Sequence, residues 1–271
     1  MTLRSVKSIN TKDYFMKKIS LGFIVCLFLS SKLFAQDSLQ EFDSDEGMRR
    51  FASSSAKVDF FSLANQFESQ NNGLFCGPAT AVMVLNAFRL GKSASLPKDM
   101  SQVTQQDKQF FEAGFDPSVA RYSQNTVFIE GAKERAFVFG KLSDPKNKET
   151  RDYGFQLAQL DNLFQKHGLK SKMQIVDDKA PSEDHMKAEI IENLKNRGDY
   201  VVINYHRPAV GQKGGGHISP LGAYDKDSDS FLVMDVNPTR AKWVWIKSPT
   251  LFSAMRTKDT SSNRGYLLLS Q

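Results

Sequence analysis

The sequence predicts an α+β fold in which a helical half is followed by an antiparallel sheet, and three observations carry that expectation. From Cys76 the chain places Ala81, Val84, Leu85 and Phe88 at helical spacing, with further apolar residues around the circumference, as a buried helix requires. Residues 183–196 form an amphipathic pattern closed by Gly198, and residues 200–205 read as a buried strand. The last third gives strands over 217–224, 230–235 and 243–246, with a polar turn at 225–229 between the first two. Helices gathered ahead of a run of strands are the segregated arrangement of an α+β domain.

Taken in order, the chain opens on a segment with the layout of a secretory signal. Met16-Lys17-Lys18 precedes an apolar run from Ile19 to Leu29, and small and polar residues lead to Ala35. The expectation is a signal peptide over 1–35 cleaved near Ala35, with Met16 a second possible start and the mature protein periplasmic or secreted. The apolar run is short for a membrane span of about 20 residues. Residues 36–56 are polar and Ser-rich and read as a solvated leader with one short helix. Residues 57–271 are expected to form the catalytic domain, a size that buries an ordinary core. Pro78 suits the first turn of the helix after Cys76, where a missing N–H is harmless. Between 91 and 156 the signals are mixed: 105–113 and 154–167 look helical, and 125–129 resembles a strand.

The formal charge of +6 sits largely at the front. Residues 1–35 hold Arg4, Lys7, Lys12, Lys17, Lys18 and Lys32 against Asp13 alone, so the remainder is near neutral. That argues against a nucleic-acid surface, and no stable membrane partner is expected. Loss of the front segment would also remove Cys26, leaving Cys76 without an intramolecular disulfide partner.

Cys76 stands at a helix start, where unpaired N–H groups and the helix dipole favour a thiolate nucleophile. A buried structural cysteine is the alternative. His217 follows Gly214-Gly215-Gly216, a run suited to close approach of backbone or ligand, and leads into a strand. Asp235 ends the next apolar run, so hairpin pairing would bring it beside His217, where a carboxylate orients and stabilises a protonated ring. A turn aspartate ahead of Asn237-Pro238 is the competing reading. Gln70, six residues before Cys76, offers an amide to a developing oxyanion. Zinc could use the same residue types, but the sequence has no Cys-x-x-Cys, no His-Glu-x-x-His and four histidines in all, His167, His185, His206 and His217, so no metal site is assigned.

Together these residues resemble the phytochelatin synthase family, within the papain-like cysteine protease superfamily, and especially its short bacterial members that lack a cysteine-rich C-terminal domain. One block runs from Phe60 to Leu63 and on through Gln70 and Cys76-Gly77-Pro78 to Val84-Leu85-Asn86-Ala87. The other runs from Asn193 through Asn204-Tyr205-His206-Arg207, Gly215-Gly216-His217-Ile218-Ser219-Pro220 and Met234-Asp235-Val236 to Trp243-Val244. After its Asp-Val the family carries an arginine and a Tyr-Lys-Tyr-Pro-Pro-like run. Here the chain reads Asn237-Pro238-Thr239-Arg240-Ala241-Lys242 instead.

The resemblance implies a papain-like fold and a Cys76, His217, Asp235 triad acting on glutathione. Cys76 would attack the carbonyl joining cysteine to glycine, with Gln70 and the Cys76 N–H holding the oxyanion and His217 protonating the glycine amine. Water would then release γ-glutamylcysteine, and a second glutathione would give a phytochelatin. Arg207 is the candidate fork for a substrate carboxylate, with Gly216 beside it and Arg240, at a shifted position, in place of the family's arginine. No cofactor is required. Cadmium or zinc would enter as thiolate complexes of the substrate. The competing functions are another papain-like peptidase, a non-enzymatic thiol or heavy-metal binder, and an inert relic of the fold serving as an interaction protein.

Overall fold

The computed structural model describes residues 39–89 and 96–271, so the expected signal segment 1–35 and Cys26 lie outside the described residues. In chain order the strands are β1 Leu39–Glu41, β2 Lys98–Asp99, β3 Val119–Ala120, β4 Lys170–Ile175, β5 Tyr200–His206, β6 Gly216–Asp225, β7 Ser230–Val233, β8 Val244–Lys247 and β9 Gly265–Ser270. The α-helices are α1 Asp45–Ser53, α2 Phe60–Asn65, α3 Cys76–Phe88, α4 Arg135–Val138, α5 Leu157–Lys166, α6 Glu183–Asn193 and α7 Ser248–Met255.

Among the described residues, seven strands make one antiparallel sheet in the order β1, β8, β7, β6, β5, β9, β4. Both of its faces are covered, which is why β5 reads as an unbroken apolar run. Val202 packs with Ile218, Leu232 and the helices α3 and α5 on one face. Val201 and Ile203 point the other way into Met186 and Ile190 of α6 and Phe252 of α7. Helix α3 is buried on every side beyond its first residue, as its continuous apolar circumference predicts. The Ser182 side chain caps α6 by accepting from the His185 N–H.

The stretch expected to be a solvated leader is part of the fold. β1 pairs with β8, α1 follows, and Ala56 bridges Tyr224. Trp245, wholly buried, donates its indole N–H to the Gly47 carbonyl at 3.1 Å. Phe42 and Phe51 pack against Phe60, and Phe42 also against Trp243. A few aromatic anchors hold this segment, a pattern that polar composition hides.

Three other expectations are corrected. Residues 105–113 hold only a 3-10 turn at Asp107–Phe110, because the Asp107 carboxylate accepts from the Thr104 N–H and hydroxyl at 2.8 and 2.7 Å and no apolar side is buried. Residues 125–129 form no strand. The Thr126 and Val127 N–H groups turn back to the Ser123 carbonyl, and the Val127 carbonyl meets the His167 ring at 2.8 Å. The helix expected over 154–167 begins later, at Leu157, after a Gln156/Gln159 capping box.

Candidate active site

Three structural elements carry the predicted triad. Cys76 is the first residue of α3, half-buried, with a free thiol. Gly77 leaves room for Phe155, because a Cβ there would lie 2.9 Å from that side chain. His217 is on β6 opposite Tyr205 of β5, and the two rings meet edge to face at 5.8 Å. Asp235 follows β7, and the β6/β7 register shifts between Leu221 and Ala223. Such a bulge turns the strand end, and here it accompanies the carboxylate beside the histidine of the neighbouring strand.

His217 Nε2 lies 3.0 Å from Asp235 Oδ1 and 3.0 Å from Ser219 Oγ. The ring and the Cys76 thiol face the same cleft, and each shifts the titration of the other. With Nε2 engaged by Asp235 and Ser219, Nδ1 is the nitrogen left for sulfur. Asp235 is 0% exposed, and its oxygens are fully occupied. Arg207 Nη2 donates to Oδ1 at 2.8 Å and lies 2.7 Å from Oδ2, and the Asn237 N–H donates to Oδ1 at 2.7 Å. The Tyr205 hydroxyl is 3.4 Å from Oδ2 and donates to Gln212 Oε1 at 3.1 Å, which also accepts from Arg207 Nη1 at 3.1 Å.

The electrostatics follow from this packing. Burial pushes the Cys76 thiol up, but the hydrogen bond and charge of His217, helped by the backbone at Ile218 and Gly77, bring it below its ordinary value. Burial pulls His217 down, and hydrogen bonds to Asp235 and Cys76 and their charges raise it overall. Burial raises the Asp235 carboxyl, and His217, Arg207 and the Asn237 backbone more than reverse that. All three shifts favour a thiolate, an imidazolium and a carboxylate in line.

A cleft of about 170 Å³ opens on Cys76 and His217, walled by Gln70, Gly73, Arg207, Gly214, Gly215, Gly216, Asn237 and Arg240. The residues singled out from the sequence therefore converge, with Asp235 behind the wall. Gln70 Nε2 donates to the Asn72 carbonyl at 2.6 Å, which leaves its second amide N–H. Arg207 stands otherwise than expected. It is only 3% exposed, and its fork is occupied by Asp235 and Gln212, because the turn through Gly214 (φ +127°) folds the 207–216 segment back onto it. Gly216 gives close approach to protein as well as lining the cleft, since a Cβ there would lie 2.6 Å from Arg264 Nη2. Arg240 is exposed at the cleft, and among the described residues its guanidinium has no hydrogen-bond or ion-pair partner. A larger hollow of about 600 Å³, lined by Asp59, Arg197 and Tyr200 among others, contains no cysteine or histidine. Among the described residues no group of three or more His, Cys, Asp or Glu side chains could hold a metal ion.

Sequence reasoning missed Tyr205, Gln212 and Ser219 as site residues. Ser219 had a readable signal, lying two residues after His217 and so on the same strand face. Tyr205 and Gln212 needed the strand register and the turn after Arg207.

A family model described as phytochelatin synthase matches residues 31–266. The chain is 25% identical over 236 residues to glutathione gamma-glutamylcysteinyltransferase 3 of Lotus japonicus, covering 85% of this chain and 42% of the relative. It is 25% identical to glutathione gamma-glutamylcysteinyltransferase 2 of Arabidopsis thaliana, covering 85% and 44%. It is likewise 25% identical over 213 residues to the glutathione gamma-glutamylcysteinyltransferase of Schizosaccharomyces pombe, covering 78% and 43%. The chain thus spans about two fifths of the length of the curated relatives it matches.

Proposed function

Because this chain belongs to the phytochelatin synthase family, we propose that it is a cysteine acyltransferase and hydrolase acting on the cysteine–glycine bond of glutathione. The observation that carries the proposal is that Cys76 and His217 line one cleft, with Asp235 3.0 Å from the His217 ring behind its wall. Cys76 thiolate attacks the cysteinyl carbonyl, and the second amide N–H of Gln70 with the Cys76 N–H stabilises the oxyanion. As the C–N bond breaks, the imidazolium proton of His217 passes to the departing glycine amine. The γ-glutamylcysteinyl thioester is then opened by water with His217 as base, or by the amine of a second glutathione. Asp235 keeps the ring oriented and its charged form favoured throughout.

Arg207 is a partner of Asp235 in this scheme, and Arg240 is the cation left at the cleft for a substrate carboxylate. Water outcompetes the second glutathione here. Elongation needs an acceptor amine held over the thioester, and the segment 237–242 beside the cleft departs from the family's Arg and Tyr-Lys-Tyr-Pro-Pro-like pattern. Cadmium or zinc enters as a thiolate complex of the substrate. The protein's place of action is proposed to be outside the cytoplasm, from the layout of residues 1–35. The experiment is incubation with millimolar glutathione, with and without cadmium, counting glycine, γ-glutamylcysteine and longer oligomers by mass spectrometry. Glycine matched by γ-glutamylcysteine is expected. Oligomers accounting for most of the glycine would overturn the hydrolytic preference, and no glycine at all would overturn the substrate.

A further inference from the structure

We propose that Gln124 is a positioning residue for the oxyanion side of this site, clamping the 68–72 segment so that Gln70 stays in register with Cys76. The inference rests on the reading of Cys76 as an acyl-forming nucleophile, but not on glutathione as the substrate. Gln124 is 0% exposed. Its Oε1 accepts the Asn71 N–H at 2.8 Å, while its Nε2 donates to Glu68 Oε1 at 2.7 Å and to the Ser69 carbonyl at 2.9 Å. Every one of these partners flanks Gln70, and none is Gln70 itself. From the opposite side the Gln70 N–H donates to the Val236 carbonyl at 2.8 Å, one residue past Asp235.

Gln124 is itself held against the nucleophile's helix. Asn86, on α3, takes both the N–H and the carbonyl of Tyr122 with its side-chain amide, at 2.9 and 3.0 Å. Arg135 Nη1 donates to the Gln124 carbonyl at 3.3 Å and to Asn125 Oδ1 at 2.9 Å. One short segment therefore grips the Cys76 helix at Asn86 and the Gln70 loop at Asn71. An irregular loop has no ladder of its own, so the position of its oxyanion donor depends on this buried amide together with the bond from the Gln70 N–H to Val236. A donor displaced by about 1 Å can lose a large part of its effect on a transition state.

The experiment separates a displaced oxyanion donor from general damage by using two reactions of the same sulfur. Acylation by p-nitrophenyl acetate passes through a tetrahedral oxyanion, and the released nitrophenolate is counted. Alkylation by iodoacetamide is a displacement at a saturated carbon and forms no oxyanion. Gln124→Met keeps the volume and removes the hydrogen bonds. It should slow acylation by about 10- to 100-fold and leave alkylation unchanged. In a Gln70→Ala background the same substitution should add little, because the group it positions is already gone. If Gln124→Met does not fold by circular dichroism, Gln124→Glu keeps the acceptor for Asn71 and loses the donors to Ser69 and Glu68. It is then expected to show the same split between the two reactions. Wild-type acylation rates in the folded variant, an equal loss with and without Gln70, or a parallel loss of alkylation would each overturn the proposal. A wild-type chain that is acylated by the ester yet releases no glycine from glutathione would instead count against the substrate assignment alone.

Discussion

Arg207→Met tests whether this arginine holds substrate or holds Asp235, and the two roles predict different results. The guanidinium meets a wholly buried carboxylate at 2.7 and 2.8 Å and also serves Gln212, with which Tyr205 shares a hydrogen bond. Removing one partner of a buried pair costs about 3–5 kcal/mol when the other charge is left uncompensated, an upper figure here because His217 and the Asn237 N–H still serve Asp235. Against a total stability of about 5–15 kcal/mol that is a large fraction, so circular dichroism first establishes that the variant folds. Asp235 is held below the ordinary carboxylate range in the fold, so it stabilises above an unfolded value of about 3.9 and loses that contribution as pH falls through its folded pKa. Without Arg207 the folded pKa rises, so the acid-unfolding midpoint moves to higher pH. Urea melts at several pH values measure both effects, and glutathione kinetics supply the contrast. A raised KM with unchanged stability and an unmoved acid midpoint would falsify the structural role and return Arg207 to the substrate.

Three further outcomes are expected. Iodoacetamide labelling of Cys76 should titrate below the free-thiol value of about 8.5, and the product of thiolate and imidazolium should give a bell-shaped rate whose acid limb is lowered by Cys76 and whose alkaline limb is raised by His217. Labelling that appears only at the free-thiol pH would contradict this. Asp235→Asn keeps the shape but removes the charge, so turnover should fall by about 10³–10⁴ and the alkaline limb should move to lower pH; an unaltered profile would remove Asp235 from the catalytic line. Gly47→Ala places a Cβ 2.0 Å from the Glu41 carbonyl, so α1 should be forced off the sheet edge at about 1–3 kcal/mol, read as a lower Tm. An unchanged Tm would mean that the close approach of Gly47 to the Glu41 carbonyl is not needed for the fold.

What the sequence made legible is what local pattern controls. Helix α3 announces itself through its apolar circumference, and β5 and β6 through runs buried on both faces. The positions of Cys76, His217 and Asp235 along the chain made their meeting one reading among others, and the family resemblance made it the expectation. Residues 39–41 could not be read this way, because three residues are too few to show a period of two. Strands β4 and β9 also escaped. β4 carries polar residues on its exposed side at the sheet edge, and β9 becomes a strand by lying between β4 and β5. Arg207 shows the limit most clearly. Its planar fork announces a carboxylate, and the structure does supply one, but only the chain reversal through Gly214 decides that the carboxylate belongs to Asp235.

That reassignment changes how the proposed chemistry is divided across the cleft. A buried carboxylate left to itself would take up a proton, and a neutral Asp235 could not favour an imidazolium at His217. Arg207 and the Asn237 N–H supply the missing solvation from the far side of the triad, which frees the near side for substrate. Asn237 links the two sides. Its N–H fixes Asp235, its side chain accepts from the Thr239 hydroxyl at 2.7 Å, and its carbonyl accepts the Arg240 N–H at 2.9 Å. The turn over 237–242 is therefore anchored on the Asp235 carboxylate and presents Arg240 at the cleft. Under the proposed function, changes of sequence within 238–242 are expected to alter which carboxylate-bearing peptide is held more than the acid strength of His217, because among the described residues the hydrogen bond that ties this turn to Asp235 is a backbone N–H.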